Sequence, residues 1–593
     1  MTGHPPDASQ LAAIDVPPNA RQIVVAGPGS GKTEVVSNLV ARLLEEGVDP
    51  AFGMFVVSFS NAAVNAVDAR LRERGAAPIT VQTMDSLAGE ILHDLSDEKF
   101  TGFDRRIGAA TRALADETWE RFDALEHLVV DEIQDVVGVR ADFLLAILHA
   151  LPDECGFTLL GDPAQGIYDW QLRGEERPMS TTSSAELLAR VAKMDGVEVK
   201  HLAGQYRARS RDARRAVALR DDALRGDPDG RLEEFLADLV PVGSVEEAAA
   251  SAGGWAGTTV FLTRNNGQAL LTAGAIAATG ARVEVRRSAQ QRVLASWIAR
   301  VLGEHPAPGI TREEIERRAV SIRPDLDPEA LWRAMRSVVR GRGREVDLAA
   351  LAGALRRPRP LIPDLLEPVL APFVVSTVHR AKGLEFDNVV HVDFPDKPWI
   401  NEPDESEDDE HRVLFVAVSR ARDVLARADG PDDRRVRSSR RPDGARRWHL
   451  GGRAKWMTFG YELRADDLDR STPPGDDPAS TQRHLAERVR PGDPLTIRLD
   501  LRRSTLAVPV WELVHDEVVV GRTSAEFGEA FARRVGPRER SSRGWPNLSG
   551  ARVEGMATIA GGPQQGAVGR YGLWLAPVCP GMLTIDWNGD RDD

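Results

Sequence analysis

The chain has 593 residues, 42% hydrophobic and 28% charged, with a formal net charge of −14 at pH 7. That length exceeds one ordinary core and suggests roughly three to five domains, while the acidic balance argues against nonspecific coating of nucleic acid but allows a narrow basic channel. No apolar run approaches the roughly 20 residues that span a bilayer, and MTGHPPDASQ lacks a secretory layout. Cys155 and Cys579 are too few for a disulfide framework or a four-ligand zinc site. A cytoplasmic protein without a membrane partner is expected.

The first chemistry-bearing stretch is IVVAGPGSGKT, residues 23–33. Ile23, Val24 and Val25 read as a buried strand, and EVVSNLVARLLEE continues at helical spacing. Between them Gly27, Gly29 and Gly31, with Ser30, supply a tight loop. Strand, glycine loop and helix are the context a phosphate-binding loop requires. Backbone N–H groups at the helix start would cradle the phosphates of ATP or GTP. Lys32 would add a positive charge, and the Thr33 hydroxyl would hold Mg2+. The usual first glycine is Ala26 here. The chain has only seven lysines, and two, Lys32 and Lys382, fall in its most motif-like stretches. A retained lysine hints that a compact charge is needed there.

Downstream, LVVDEIQD sets Asp131 and Glu132 at the end of an apolar strand, Leu128 to Val130. Asp131 suits Mg2+ ligation, and Glu132 suits orienting and deprotonating an attacking water.

With these two stretches in place, the chain resembles the UvrD/Rep-like superfamily 1 DNA helicases in an ordered series from Gln10 to about Leu425. The resemblance implies that Gln10 reads adenine. FSNAAVNAVDARL, with Phe59 and Asn61, is similar to the family's single-strand-contact motif. VQTMDSLA follows, carrying Thr83, and Asp85 where a histidine is usual. DEIQD brings Gln134 and Asp135. In LLGDPAQGIYDWQ (159–171), Gln165 is implied to sense the γ-phosphate, while Tyr168 and Trp170 face nucleic acid. LAGQYRARS (202–210) has Gln205 in place of asparagine; Tyr206 would stack on adenine and Arg207 would reach the γ-phosphate. FLTRNN (261–266) follows the family's strand end. VVSTVHRAKGLEFDNVV (374–390) implies Glu385 at the ribose and His379 near phosphate. HRVLFVAVSRARDVL (411–425) implies Arg420 as the arginine finger, with a serine for the usual threonine.

The implied fold is α/β: two recA-like P-loop NTPase lobes with parallel sheets, short helical insertions and a small β-rich C-terminal domain. Residues 1–180 are expected to form lobe 1, with a helical insertion at about 88–125. Lobe 2 is expected from 181–287 and 371–430, with a helical insertion at 288–370. Residues 431–489, basic and interleaved with Trp448 and Trp456, read as a linker. Residues 490–593 alternate apolar and polar between Gly/Pro turns, as a small barrel or curled sheet would. For that tail a nucleic-acid module, a protein-partner module and a structural cap all remain open. No metal cluster is apparent in the sequence.

The expected activity is ATP-driven, Mg2+-dependent movement on single-stranded DNA or DNA with single-stranded tails, 3′→5′ by the resemblance. DNA repair, replication restart and mobile-element defence are the contexts considered. The alternative is a nucleic-acid-responsive ATPase switch that regulates a partner such as a nuclease.

Overall fold

The structure is a computed structural model. It describes residues 5–59, 64, 79–96, 100, 102–173, 179–286, 293–322, 327–339, 344–357, 361, 363–367, 371–394, 407–440, 446–452, 457–505, 507–535 and 544–587. The chain divides into two compact units. The first comprises Met1–Val240, Ala381–Val389 and Trp399–Ala426; the second comprises Pro241–Arg380, Val390–Pro398 and Arg427–Asp593.

The first unit holds a parallel sheet of β1 (Arg21–Ala26), β2 (Met54–Ser58), β3 (Thr80–Thr83), β4 (His127–Asp131), β5 (Gly156–Gly161) and β6 (Val197–Leu202). Its order is β3-β2-β4-β5-β1-β6, every pair parallel. The near-continuous apolar run of β1 is what a strand covered on both faces requires. Ile23 enters the core under the Met84–Leu95, Phe103–Asp116 and Val139–Ala150 helices, and Val24 enters the opposite core under the Lys32–Glu45 helix. β6 lies past the boundary expected at 180, yet it pairs with β1 over six residues. None of its residues is buried, and with Lys200 that marks an edge strand, so nothing in its composition ties it to the buried strands before it.

The second unit carries β7 (Pro241–Ser244), β8 (Thr259–Thr263) and β9 (Val283–Val285), then a short antiparallel pair, β10 (Gly309–Thr311) with β11 (Glu345–Asp347). There follow β12 (Phe373–Thr377), then β13 (Phe386–Asp393) and β14 (Ala421–Asp429), whose opening residues as far as Val389 and Ala426 count with the first unit; the six-stranded sheet is ordered β7-β14-β13-β8-β12-β9. Helices Ser296–Leu302, Arg312–Ile322, Pro328–Val338 and Leu348–Arg356 pack into one core that also takes in Leu573. The Thr558 hydroxyl donates to Ala295 O at 2.7 Å and accepts from Ala299 N at 2.9 Å. The helical insertion and the C-terminal strands therefore share an interior.

The stretch expected as a basic linker is structured instead. β15 (Val436–Arg440), β16 (Arg446–Gly451) and β17 (Thr458–Leu463) form a sheet with β24 (Gly581–Asp586) and β21 (Asn547–Ser549). Arg447 is buried, bidentate to Asp467 at 2.6 and 2.9 Å and over the Tyr461 ring at 5.2 Å. Trp448 packs on Gly267, where a Cβ would stand 2.4 Å from the indole; Trp456 lies outside the described residues. Two smaller sheets complete this region: β18 (Thr496–Leu499), β19 (Trp511–His515) and β20 (Val518–Arg522), and the pair β22 (Gly555–Ala560) and β23 (Leu573–Val578). They enclose Trp511, Phe527 and Phe531 with helices Pro478–Glu487 and Ala525–Val535.

Candidate active site

β1 ends at Ala26, and the chain turns through Gly27–Gly31 onto the Lys32–Glu45 helix. Gly29 and Gly31 sit at φ +76° and +83°. A Cβ on Gly29 would lie 2.8 Å from Arg207 and Gln205, and one on Gly31 would lie 2.5 Å from the Gln10 amide. Conformation and close approach both demand glycine. Gln10 belongs to a capping box on Asp7 and donates to Ser30 O at 2.8 Å. Tyr206 donates its hydroxyl to Asp7 and its N–H to Gly29 O at 2.8 Å, and the residue is 43% exposed. Ser30 Oγ is buried with no hydrogen-bond partner among the described residues.

Asp131 and Glu132 follow β4. Glu132 takes left-handed backbone at φ 58°, uncommon outside glycine. Lys32 Nζ lies 2.6 Å from Glu132 Oε1 and 3.7 Å from Asp131 Oδ1. Burial opposes each charge here. For Lys32 the two carboxylates outweigh it and hold the ammonium pKa above its ordinary range. Glu132 is drawn down to about 2 by Lys32 despite burial, whereas burial prevails at Asp131, pushed up to about 6.

A polar chain leads away from this pair. Gln134 donates to Glu132 and accepts from Asp162 N at 3.0 Å. Asp162 accepts from Gln165 at 2.7 Å and from Arg220 at 2.8 Å. Gln165 Oε1 accepts from Arg420 Nη2 at 2.7 Å. Arg420 is 2% exposed, and burial, then the neighbouring Arg207, lowers its pKa to about 9. Arg207 donates to Ser419 O at 2.6 Å and to Glu385 at 3.1 Å, and Glu385 also accepts from Arg422 at 2.8 Å. Arg207 Nε has no partner among the described residues.

Lys382 donates to Asp135 and to Gln165 O. Its ammonium lies 5.0 Å from the centre of the Tyr168 ring, which stands 5.5 Å from that of Phe59. Burial lowers the Lys382 pKa against Asp135 and raises that of Asp135 to about 6.

The first unit thus brings together Gln10, Gly27, Gly29, Ser30, Gly31, Lys32, Thr33, Asp131, Glu132, Gln165, Tyr206, Arg207, Glu385 and Arg420, with the Phe59 ring tilted against that of Tyr168. Thr83 caps the Met84–Leu95 helix, accepting from Ser86 N at 3.2 Å. His379 belongs to the second unit, on the Val378–Ala381 turn. Asn61 and the Trp170 side chain lie outside the described residues. Asp85, at the position where histidine is usual, is bidentate to Arg140 at 2.9 and 3.2 Å. Sequence reasoning noted Gln205 only as a replacement for asparagine and gave it no role; it donates to Pro28 O at 3.0 Å and accepts from Arg207 N and Ala208 N. Sequence reasoning also missed Arg220, whose Cδ packs where a Gly27 Cβ would be 3.4 Å away. Lysine scarcity was the available signal for Lys382; Arg220 carried none.

A parallel sheet with a glycine loop after one central strand and an acidic pair after another defines a P-loop NTPase. A model described as an AAA domain matches residues 10–171, and one described as a UvrD-like helicase C-terminal domain matches residues 372–426. Over these two stretches the chain is similar to the UvrD/Rep-like superfamily 1 helicases. It is 26% identical over 160 residues to a "Putative ATP-dependent DNA helicase" of Acanthamoeba polyphaga mimivirus, a match covering 25% of this chain. That match spans 23% of the viral protein. Among solved structures, it overlaps a Pif1 helicase from Bacteroides in complex with ADP-AlF3 and ssDNA at 14% identity and TM-score 0.30, covering 72% of this chain and 92% of that one. A second overlap is with S. cerevisiae dbp5 bound to nup159, gle1, ip6 and adp, at 11% identity and TM-score 0.33, covering 73% and 86%. No helix among the described residues is long and apolar enough to cross a membrane.

Proposed function

We propose that the chain is an ATP-dependent DNA helicase or translocase whose ATP hydrolysis is stimulated by single-stranded DNA and drives it 3′→5′. The observation that carries this reading is the polar chain Glu132–Gln134–Asp162–Gln165–Arg420, with Arg207 beside it. It links the acidic pair after β4 to two buried arginines far away in sequence.

In this reading the glycine loop and Lys32 hold the ATP phosphates, and the orphaned Ser30 hydroxyl and the collision at Gly29 fit a cradle that leaves no room for side chains. The oxygen donors Thr33 and Asp131 suit Mg2+, which when bound neutralises phosphate charge. Phosphate oxygens compete with Glu132 for Lys32, so Glu132 is freed to orient the attacking water. Arg207 and Arg420 stabilise the charge that develops on the transferred phosphoryl group. Gln10, Tyr206 and Glu385 take the adenosine. Phe59 and Tyr168, joined by Trp170, Asn61, Thr83 and His379, contact the strand, aromatic faces stacking on bases without sequence preference. Residues 490–593 remain available to a protein partner.

The test is steady-state ATP turnover by the full chain with and without single-stranded DNA, with Lys32→Ala as the blank. Stimulation lost in the variant supports the proposal. ATP binding without stimulated turnover overturns it in favour of the partner-regulating switch.

A further inference from the structure

The motor reading leaves unused a group of side chains in the C-terminal β-rich region. His484 lies near the end of the Pro478–Glu487 helix, His515 closes β19, and Asp516 opens the turn into β20. Asp516 and Glu517 have φ of 46° and 65°, the paired left-handed residues of a tight hairpin turn. One ligand atom from each of His484, His515 and Asp516 can be chosen so that all lie within 4.8 Å of one another. We propose that these three side chains form a binding site for a divalent transition-metal ion of the zinc class.

Two features of the geometry carry the assignment. His484 Nε2 is 2.9 Å from His515 Nδ1, and His515 Nδ1 is 3.6 Å from Asp516 Oδ2. Tetrahedral bonds of about 2.0–2.1 Å put neighbouring ligand atoms roughly 3.3 Å apart, between those two separations. The second feature is behind the ring: His515 Nε2 lies 3.1 Å from Asp493 Oδ2, and that oxygen is fixed by Arg490 N at 2.6 Å. A carboxylate accepting from Nε2–H leaves the Nδ1 lone pair facing His484 and Asp516, the arrangement that orients a metal-bound imidazole. His515 is buried and His484 half-buried.

Two imidazoles with one carboxylate favour Zn2+, Co2+ or Ni2+ over the all-oxygen cations Mg2+ and Ca2+. The fourth position is left to solvent. The ion ties the Pro478–Glu487 helix to the β19–β20 hairpin, whose Leu485, Leu513 and Val520 already share a core. Cysteine arithmetic has no bearing on such a site, and 31 residues separate its two histidines, so no short motif announces it.

The full chain, stripped with chelator and desalted, is titrated with Zn2+ by calorimetry and with Co2+ by visible absorption. The wild type is expected to bind one more equivalent of Zn2+ than His484→Ala/His515→Ala, and to show a Co2+ ligand-field band that this variant lacks. Asp516→Asn keeps a residue suited to left-handed backbone in an exposed turn, so it folds; its Zn2+ affinity is expected to fall at least about 10-fold, as is that of Asp493→Asn. Millimolar Mg2+ is expected not to compete. Equal Zn2+ stoichiometry in wild type and double variant, unchanged affinity in Asp516→Asn, or displacement by Mg2+ would each overturn the assignment. ATP turnover is not read, so the outcome is independent of the motor.

Discussion

Lys382→Met offers a quantitative test of the candidate site. Lys382 and Asp135 are 5% and 7% exposed, and the ammonium is the cation directly on that carboxylate. Removing one partner of a buried pair typically costs ~3–5 kcal/mol, because the other charge is stranded. Asp135 can escape by taking up a proton. Protonating at pH 7 a carboxyl with an unfolded pKa of 3.8 costs about 4 kcal/mol, and the same step at pH 5 costs about 2 kcal/mol. The expected loss is therefore about 3–4 kcal/mol at pH 7, shrinking to about 2 kcal/mol or less at pH 5. The sign follows from a folded pKa raised above the unfolded one. The penalty is least below about pH 4 and grows as pH rises through the folded pKa. Urea denaturation at both pH values measures it. Adding Asp135→Asn removes the stranded charge, so Lys382→Met/Asp135→Asn should recover most of the loss. Equal destabilisation at pH 5 and pH 7, or a double variant as unstable as the sum of the single ones, would refute the reasoning.

Arg420→Ala should retain ATP binding but lower single-strand-stimulated turnover by roughly 10³–10⁵-fold, the range for an arginine finger, as measured by coupled phosphate release. His127 is buried between Pro18 O at 2.7 Å and the Thr158 hydroxyl at 3.0 Å, and burial lowers its pKa from 6.5 to about 4. The unfolded chain takes the proton first, so this term is fully favourable above pH 6.5 and is lost as pH falls toward 4. About 3 kcal/mol should disappear over that window, and the difference between wild type and His127→Asn in denaturation midpoint against pH isolates it.

The phosphate loop, the acidic pair and the order of the remaining motifs were legible because their chemistry fixes residue types at short spacing. Two-sided burial of β1 was legible for the same kind of reason, in the run Ile23 to Val25. Charge hid other elements. Arg447 reads as solvated in RRWHLG, yet Asp467 and the Tyr461 ring neutralise and cover it, so a half-buried strand passed for a basic linker. β6 failed to register with lobe 1 because this edge strand buries none of its residues. Gln205 and Asp162 lay inside motifs, but their partners did not show: the bonds from Gln205 to Pro28 O and from Arg220 to Asp162 cross large sequence separations, and no local pattern encodes those. The shared interior around Leu573 and Thr558 also changes how the helical insertion can be probed: excising 288–370 would open a core, so surface substitutions are the better instrument.

The first compact unit is not contiguous in the chain, since Ala381–Val389 and Trp399–Ala426 return to Met1–Val240. On a ribosome making about 5–20 residues per second, the stretch carrying Lys32 emerges well before Lys382, Glu385 and Arg420 exist, and roughly 10–40 s separate Val240 from Ala426. Through that interval Asp135 awaits its lysine and Gln165 its arginine. The nascent first unit thus exposes an unclosed polar chain throughout that interval, and a messenger truncated between the codons for Thr33 and Arg420 yields a product with the phosphate loop but without the arginine that closes that chain.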